Sequence, residues 1–148
     1  MEANPLTIAA WGIGFALLAY GGYAYWQSSN VPATIDIGSP ANFQSVPATQ
    51  CQLSNDENSI VGTLYVFHDA ARFIIKSGPG LYTVTNIIVT REGDTFAWED
   101  GKTVGAKYDY GALYQKIHLN VLTHVTCTPW WLPAGGLFVV PDGVTIPK

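Results

Sequence analysis

The chain has 148 residues, 13% of them aromatic and only 12% charged, with a net charge of −4. That is room for one anchor and one small domain. Residues 1–71 hold Glu2, Asp36, Asp56, Glu57 and Asp69 but no Lys or Arg, and all seven basic residues lie from Arg72 onward. No basic cluster is present to neutralise phosphates or anionic headgroups, so nucleic-acid binding and electrostatic lipid binding are excluded as expectations.

The first element in chain order is LTIAAWGIGFALLAYGGYAYW, residues 6–26, which carries no charge. A helix of that length is about 31 Å long, close to the thickness of a bilayer's hydrocarbon core. The expectation is an uncleaved single-pass transmembrane anchor over residues 1–27. A secretory signal would need a basic start, a shorter apolar run and a small-x-small cleavage site. Here the start is MEANP, and Gly22-Tyr23-Ala24 is followed by Tyr25 and Trp26. No Cys lies near the N-terminus to carry a lipid.

Ala10, Gly14 and Gly22 recur at multiples of four, as do Gly12, Ala16 and Ala24. Small residues at that spacing let a second helix approach closely, although membrane helices are rich in Gly and Ala in any case. Tyr20, Tyr23, Tyr25 and Trp26 crowd the end of the segment, where amphipathic rings suit the headgroup level. The flanks carry no Lys or Arg, so the positive-inside rule gives no orientation.

Residues 28–50 read as a Pro-rich extended linker, with Pro32, Pro40 and Pro47 at intervals of seven or eight. A pilin-type subunit would instead continue its apolar helix into the globular head. It would also carry Glu at the fifth position, where Pro5 stands here.

Residues 51–148 read as the domain. Ile60–Phe67, Arg72–Lys76, Leu81–Thr90 and Thr95–Trp98 are rich in β-branched and aromatic residues. They are punctuated by Ser77-Gly78-Pro79-Gly80, Glu92-Gly93-Asp94 and Glu99-Asp100-Gly101-Lys102, which are turn signals. Short strands with turns between them predict an antiparallel meander. Residues 109–120 predict a short helix, with Leu113, Tyr114 and Ile117 on one face. Val121–Cys127, Pro129-Trp130-Trp131-Leu132-Pro133 and Leu137–Val140 complete the chain.

Cys51 and Cys127, with 75 residues between them, fit neither a CxxC pair nor a four-ligand zinc site. Two cysteines bracketing the domain predict a structural disulfide in an oxidising compartment, worth about 4 kcal/mol on the chain-entropy model. The alternative is two buried thiols in a cytosolic domain. The expected location is therefore the cytoplasmic membrane, with the C-terminal domain on the extracytoplasmic side.

The ordered set Cys51, Gly62-Thr63-Leu64-Tyr65, Arg72, Ile88-Val89-Thr90-Arg91-Glu92-Gly93, Phe96-Ala97-Trp98-Glu99-Asp100-Gly101, Gly105-Ala106-Lys107, Cys127-Thr128-Pro129-Trp130 and Phe138-Val139-Val140-Pro141 has a further meaning. Over residues 51–141 it resembles small membrane-anchored envelope proteins of candidate-phyla-radiation (Patescibacteria) bacteria. The resemblance implies a curved antiparallel sheet similar to lipoprotein-carrier domains and a place in the envelope. It implies no activity. The basic start usual in exported proteins is missing here.

Candidate chemistry is sparse. His118 and His124 would share a strand face, with His68-Asp69 as a third donor pair, but no HxH, HxxxH or HExxH spacing exists. Glu99-Asp100 reads as turn chemistry, and no GxSxG surrounds a serine. Trp130 and Trp131, with Tyr108, Tyr110 and Tyr114, read either as an exposed contact patch or as an apolar plug closing one end of the sheet.

The expected fold is mainly β, with α+β as the alternative: an N-terminal transmembrane helix, then a small disulfide-bridged antiparallel sheet with one short helix. The expected role is a non-catalytic accessory subunit of a membrane complex or surface assembly. Its partners would be the membrane and other membrane-protein subunits or further copies of itself, with no metal and no cofactor. A small apolar-ligand or peptide binding module is the alternative.

Overall fold

The alternation of apolar and polar residues builds a seven-stranded antiparallel sheet. The computed structural model describes residues 16–26, 30–131 and 133–148. The strands are β1 (Thr49–Ser54), β2 (Val61–Phe67), β3 (Ala70–Ser77), β4 (Thr83–Val89), β5 (Thr95–Glu99), β6 (Ala106–Tyr108) and β7 (His124–Pro129). Their order across the sheet is β6-β5-β4-β3-β2-β1-β7. The first six form the expected meander. The chain then crosses from one edge of the sheet to the other and adds β7 beside β1.

Period-2 alternation divides the sheet into two faces. Cys51 and Leu53, Leu64 and Val66, Ala71, Phe73 and Ile75, and Ile87 and Val89 point to one side and are all buried. The register lines them up: Cys51 lies opposite Leu64, Leu64 opposite Phe73, and Phe73 opposite Ile87. Gly62 shares this side because a Cβ there would stand 2.6 Å from Ile75 Cδ1.

Three segments seal this core face. Helix α1 (Ala41–Gln44) drives Phe43 to 0% exposure, edge-on to Phe73 and Tyr110, each at 5.7 Å. Helix α2 (Tyr110–Lys116) adds Tyr110 and Leu113, and the 3-10 turn Leu119–Val121 adds Leu119. Asp109 caps α2 by accepting from the Ala112 N–H at 3.0 Å. The expected helix over 109–120 ends earlier because His118 takes a left-handed conformation (φ 58°) and starts the 3-10 turn.

The first of these segments, with the residues that flank it, corrects the linker. Ile35, Ile37, Phe43 and Ala48 are buried, so the described part of residues 28–50 belongs to the domain. Pro40 starts a helical turn there and does not extend the chain. The Ala33 carbonyl also accepts from the outward N–H of Cys127 at 2.8 Å, covering the free edge of β7. Pro129, at the end of that edge strand, has no N–H to leave unpaired.

Cys51 and Cys127 face each other directly across β1 and β7 and are disulfide-bonded. The mainly-β fold and the bridge thus agree with the expectation. The expected N-terminal transmembrane helix is not supported by the described residues. Residues 16–26 are helical, with Leu17, Leu18, Tyr20, Tyr23, Tyr25 and Trp26 exposed. No helix among the described residues is long and apolar enough to cross a membrane. Residues 1–15, with Ala10, Gly12 and Gly14, lie outside the described residues.

Candidate functional site

The second face of the sheet differs from the core face in what it carries. Facing outward are Gln52 on β1, Thr63, Tyr65 and Phe67 on β2, Arg72 and Ile74 on β3, Asn86 and Ile88 on β4, and Phe96 and Trp98 on β5. The register pairs Tyr65 with Arg72, Arg72 with Ile88, and Asn86 with Trp98. Three zones follow along this face.

At the end where β2 turns into β3, Tyr65 and Phe67 meet Trp130 and Phe138. The Trp130 ring lies 5.0 Å from Tyr65, 6.2 Å from Phe67 and 6.1 Å from Phe138. Offset and edge contacts at such distances suit the ring quadrupoles. Phe138 arrives on a 3-10 turn, Gly135–Phe138.

In the centre sits a polar relay. Arg72 Nη1 donates to the Leu137 carbonyl at 2.9 Å, and Nη2 donates to Asn86 Oδ1 at 2.8 Å. Asn86 Nδ2 in turn donates to Asp100 Oδ1 at 2.6 Å. The guanidinium lies 5.5 Å from the Trp98 ring, a cation–π contact. Burial pushes the Arg72 pKa down while Asp100 and Tyr65 push it back up, and the group stays cationic. Its Nε is buried with no hydrogen-bond partner among the described residues.

At the far end a groove of about 540 Å³ opens between β7, β1, β2 and β3, lined by Gln52, Ser54, Val61, Thr63, Ile74, Lys76, His124 and Thr126. Beside it the β1–β2 turn is clasped to the start of β7. Asp56 Oδ1 accepts from Thr123 Oγ1 at 2.9 Å and lies 2.7 Å from His124 Nε2. The Thr123 hydrogen bond, and then the His124 one, hold the Asp56 carboxyl below its ordinary value.

The expected contact patch of Trp130, Trp131, Tyr108 and Tyr110 is not assembled as a unit. Tyr110 is a core residue, 5% exposed, whose hydroxyl donates to the Ile37 carbonyl at 2.5 Å. Its pKa is raised by burial, then by Tyr114 and Asp36. The helix that Asp109 caps turns that ring inward. Tyr108 lies on β6, at the opposite edge of the sheet from β7, with Lys116 Nζ 4.9 Å from its ring. Trp130 belongs to the aromatic cluster, and Trp131 is 43% exposed.

The histidines stay apart. His68 sits in the β2–β3 turn with φ 50°, edge-on to Phe67, and His118 precedes the 3-10 turn. His118 therefore does not share a strand with His124. Among the described residues no group of three or more His, Cys, Asp or Glu comes together to hold a metal. Asp100 accepts from Asn86, and Asp109 is a helix cap. Of the anchor residues, Ala16 and Gly22 are exposed on the helical segment, and a Cβ on Gly22 would meet nothing within 4 Å. Tyr23 stacks on Trp26 at 6.4 Å.

Sequence reasoning did not single out Arg72, Asn86 and Asp100 as a unit. A lone Arg and a lone Asn inside otherwise apolar strands were the available signal, since a polar group inside a sheet needs a partner. Compared with protein-family models, with curated proteins and with solved structures, the chain matches none.

Proposed function

We propose that the protein is a non-catalytic, membrane-anchored envelope protein, a structural or accessory subunit whose domain makes its contacts through the second face of the sheet. The observation that carries this reading is the contrast between the sheet's faces. One is sealed by α1, α2 and the 3-10 turn. The other bears a partly exposed aromatic cluster beside an open groove lined by Gln52, threonine and serine hydroxyls, aliphatic side chains, Lys76 and His124. Aromatic residues and arginine are enriched at the centres of protein–protein contact surfaces.

The exposed apolar helix of residues 16–26 and the uncharged residues 6–15 before it support a single-pass anchor. The disulfide supports an oxidising compartment and hence an extracytoplasmic domain. The resemblance to Patescibacteria envelope proteins supports the same placement. An apolar-ligand carrier is the weaker reading, because Phe43, Phe73, Leu64 and Ile87, all at 0% exposure, occupy the centre of the core face. A peptide in the groove at the far end of the second face remains its form.

Extraction from the protein's own membranes in mild detergent tests the reading, with particle mass and mass spectrometry of co-migrating chains. A particle well above the 16.0 kDa of one chain plus detergent, with defined companions or further copies, is the expected result. A single chain in detergent would overturn it and shift the weight to peptide binding.

A further inference from the structure

One end of the second face is left open. The chain after β7 forms an arm, residues 133–148, that lies over this face. The Leu137 carbonyl accepts from Arg72 Nη1, and Thr145 is hydrogen-bonded to Thr103 and Gly105 near the β6 edge. None of the arm's residues lines the groove of about 540 Å³ between β7, β1, β2 and β3. Strand register lays two rows of side chains across that groove. One runs Thr126, Gln52, Thr63, Ile74, and the other His124, Ser54, Val61, Lys76. Neighbouring strands lie about 4.8 Å apart, so each row spans about 14 Å, the length of about four extended residues. Short side chains occupy the middle of the second row, and His124 and Lys76 stand at its ends.

The lining holds no carboxylate and no aromatic ring. A cationic ligand would find no counter-charge there, and a nucleobase would find no flat face to stack on. The rows offer hydroxyls and an amide, which both donate and accept, beside the short aliphatic side chains of Val61 and Ile74. The backbone N–H and C=O groups of an extended peptide match that pattern. The charge is set by Lys76. His124 Nε2 is engaged by Asp56 at 2.7 Å. The Lys76 ammonium is exposed and makes no ion pair among the described residues. We propose that the groove receives an extended acidic segment of a partner polypeptide, about four residues long, with a carboxylate on Lys76 Nζ. The inference rests on the reading of the second face as a contact surface and names the chemistry of the partner there.

The test uses the full-length chain in mild detergent, titrated with the tetrapeptide acetyl-Ala-Val-Ala-Glu-amide and with its Gln counterpart. Binding is followed by NMR at the Thr63 and Thr126 amides. The Glu peptide is expected to bind about two- to fivefold more tightly than the Gln peptide, the range of one ion pair at an exposed site. Lys76→Gln should erase that preference, and Lys102→Gln, at an exposed lysine outside the groove, should leave it. Equal affinity for the two peptides, no binding of either, or a preference that survives Lys76→Gln overturns the proposal. Particle mass from the protein's own membranes separates it from the wider reading. Companions present with the parent chain and lost with Lys76→Glu, which sets like charges together, support it. Companions kept by folded Lys76→Glu overturn it and leave the subunit reading standing, whereas a single-chain particle of the parent removes both.

Discussion

The two faces of one sheet show how the same strands serve two purposes. On the core face β1 to β4 contribute apolar side chains at 2% exposure or less, and the covering segments add Phe43, Tyr110 and Leu119 at 5% exposure or less. On the second face the strands alternate apolar groups with Gln52, Thr63, Arg72, Asn86 and Lys76, and the cover is a single arm that leaves one end open. Burying large apolar area stabilises the fold. Leaving polar groups and half-exposed rings on the other side costs some of that stability and leaves a surface able to bind.

Several substitutions would break or sharpen this contrast. Phe43→Ala empties the centre of the core face between Phe73 and Tyr110 and should cost about 3–5 kcal/mol, read from urea unfolding of the full chain in mild detergent. Next is the clamp on that face. Replacing both Cys51 and Cys127 by Ser releases a closure spanning 76 residues and should lower stability by about 2–4 kcal/mol in the same assay.

A smaller effect is expected from Tyr110→Phe, which leaves the Ile37 carbonyl without its donor at a cost of about 1–2 kcal/mol at neutral pH. The substitution also changes the alkaline limb. The folded Tyr110 has a raised pKa, while the unfolded one ionises near 10.0. Its contribution is therefore complete below pH 10 and is lost as pH rises above it, because only the unfolded chain gives up the proton. Unfolding midpoints from pH 8 to 11 should fall in the parent and fall less in Tyr110→Phe.

The smallest effect concerns the exposed clasp. Asp56 should titrate below its ordinary value in an NMR pH titration, and Thr123→Val should move it back up, since the threonine hydroxyl is the main cause of the shift. The sign is that of a depressed carboxylate. The clasp holds at neutral pH and is lost as pH falls through the folded value.

The sheet was legible because apolar alternation and turn residues are local signals. Ile60–Phe67 and Arg72–Lys76 became β2 and β3 with shifts of no more than two residues at any end. What escaped were elements defined by distant partners. β6 has three residues and gains its meaning from β5, so Gly105-Ala106-Lys107 carried no strand signal of its own. Three prolines made residues 28–50 read as extended, yet Ile35, Ile37 and Phe43 find their partners in strands many positions on. The outer-face relay needed register: Arg72 and Asn86 meet only because β3 and β4 pair with Arg72 opposite Ile88 and Ile74 opposite Asn86. The disulfide was predictable from count and position. The pairing of Tyr110 with Trp130 in one patch failed because the capped helix turns Tyr110 into the core.

The central claim is that the core face carries stability and the second face carries association. The most direct measurement is the particle mass of full-length Phe138→Ala in mild detergent, taken beside its urea unfolding curve. Phe138 is only partly buried against Phe67 and Trp130, so its loss should cost no more than about 1–2 kcal/mol of stability while the particle falls to a single chain. A particle of unchanged mass in the folded variant would contradict the account.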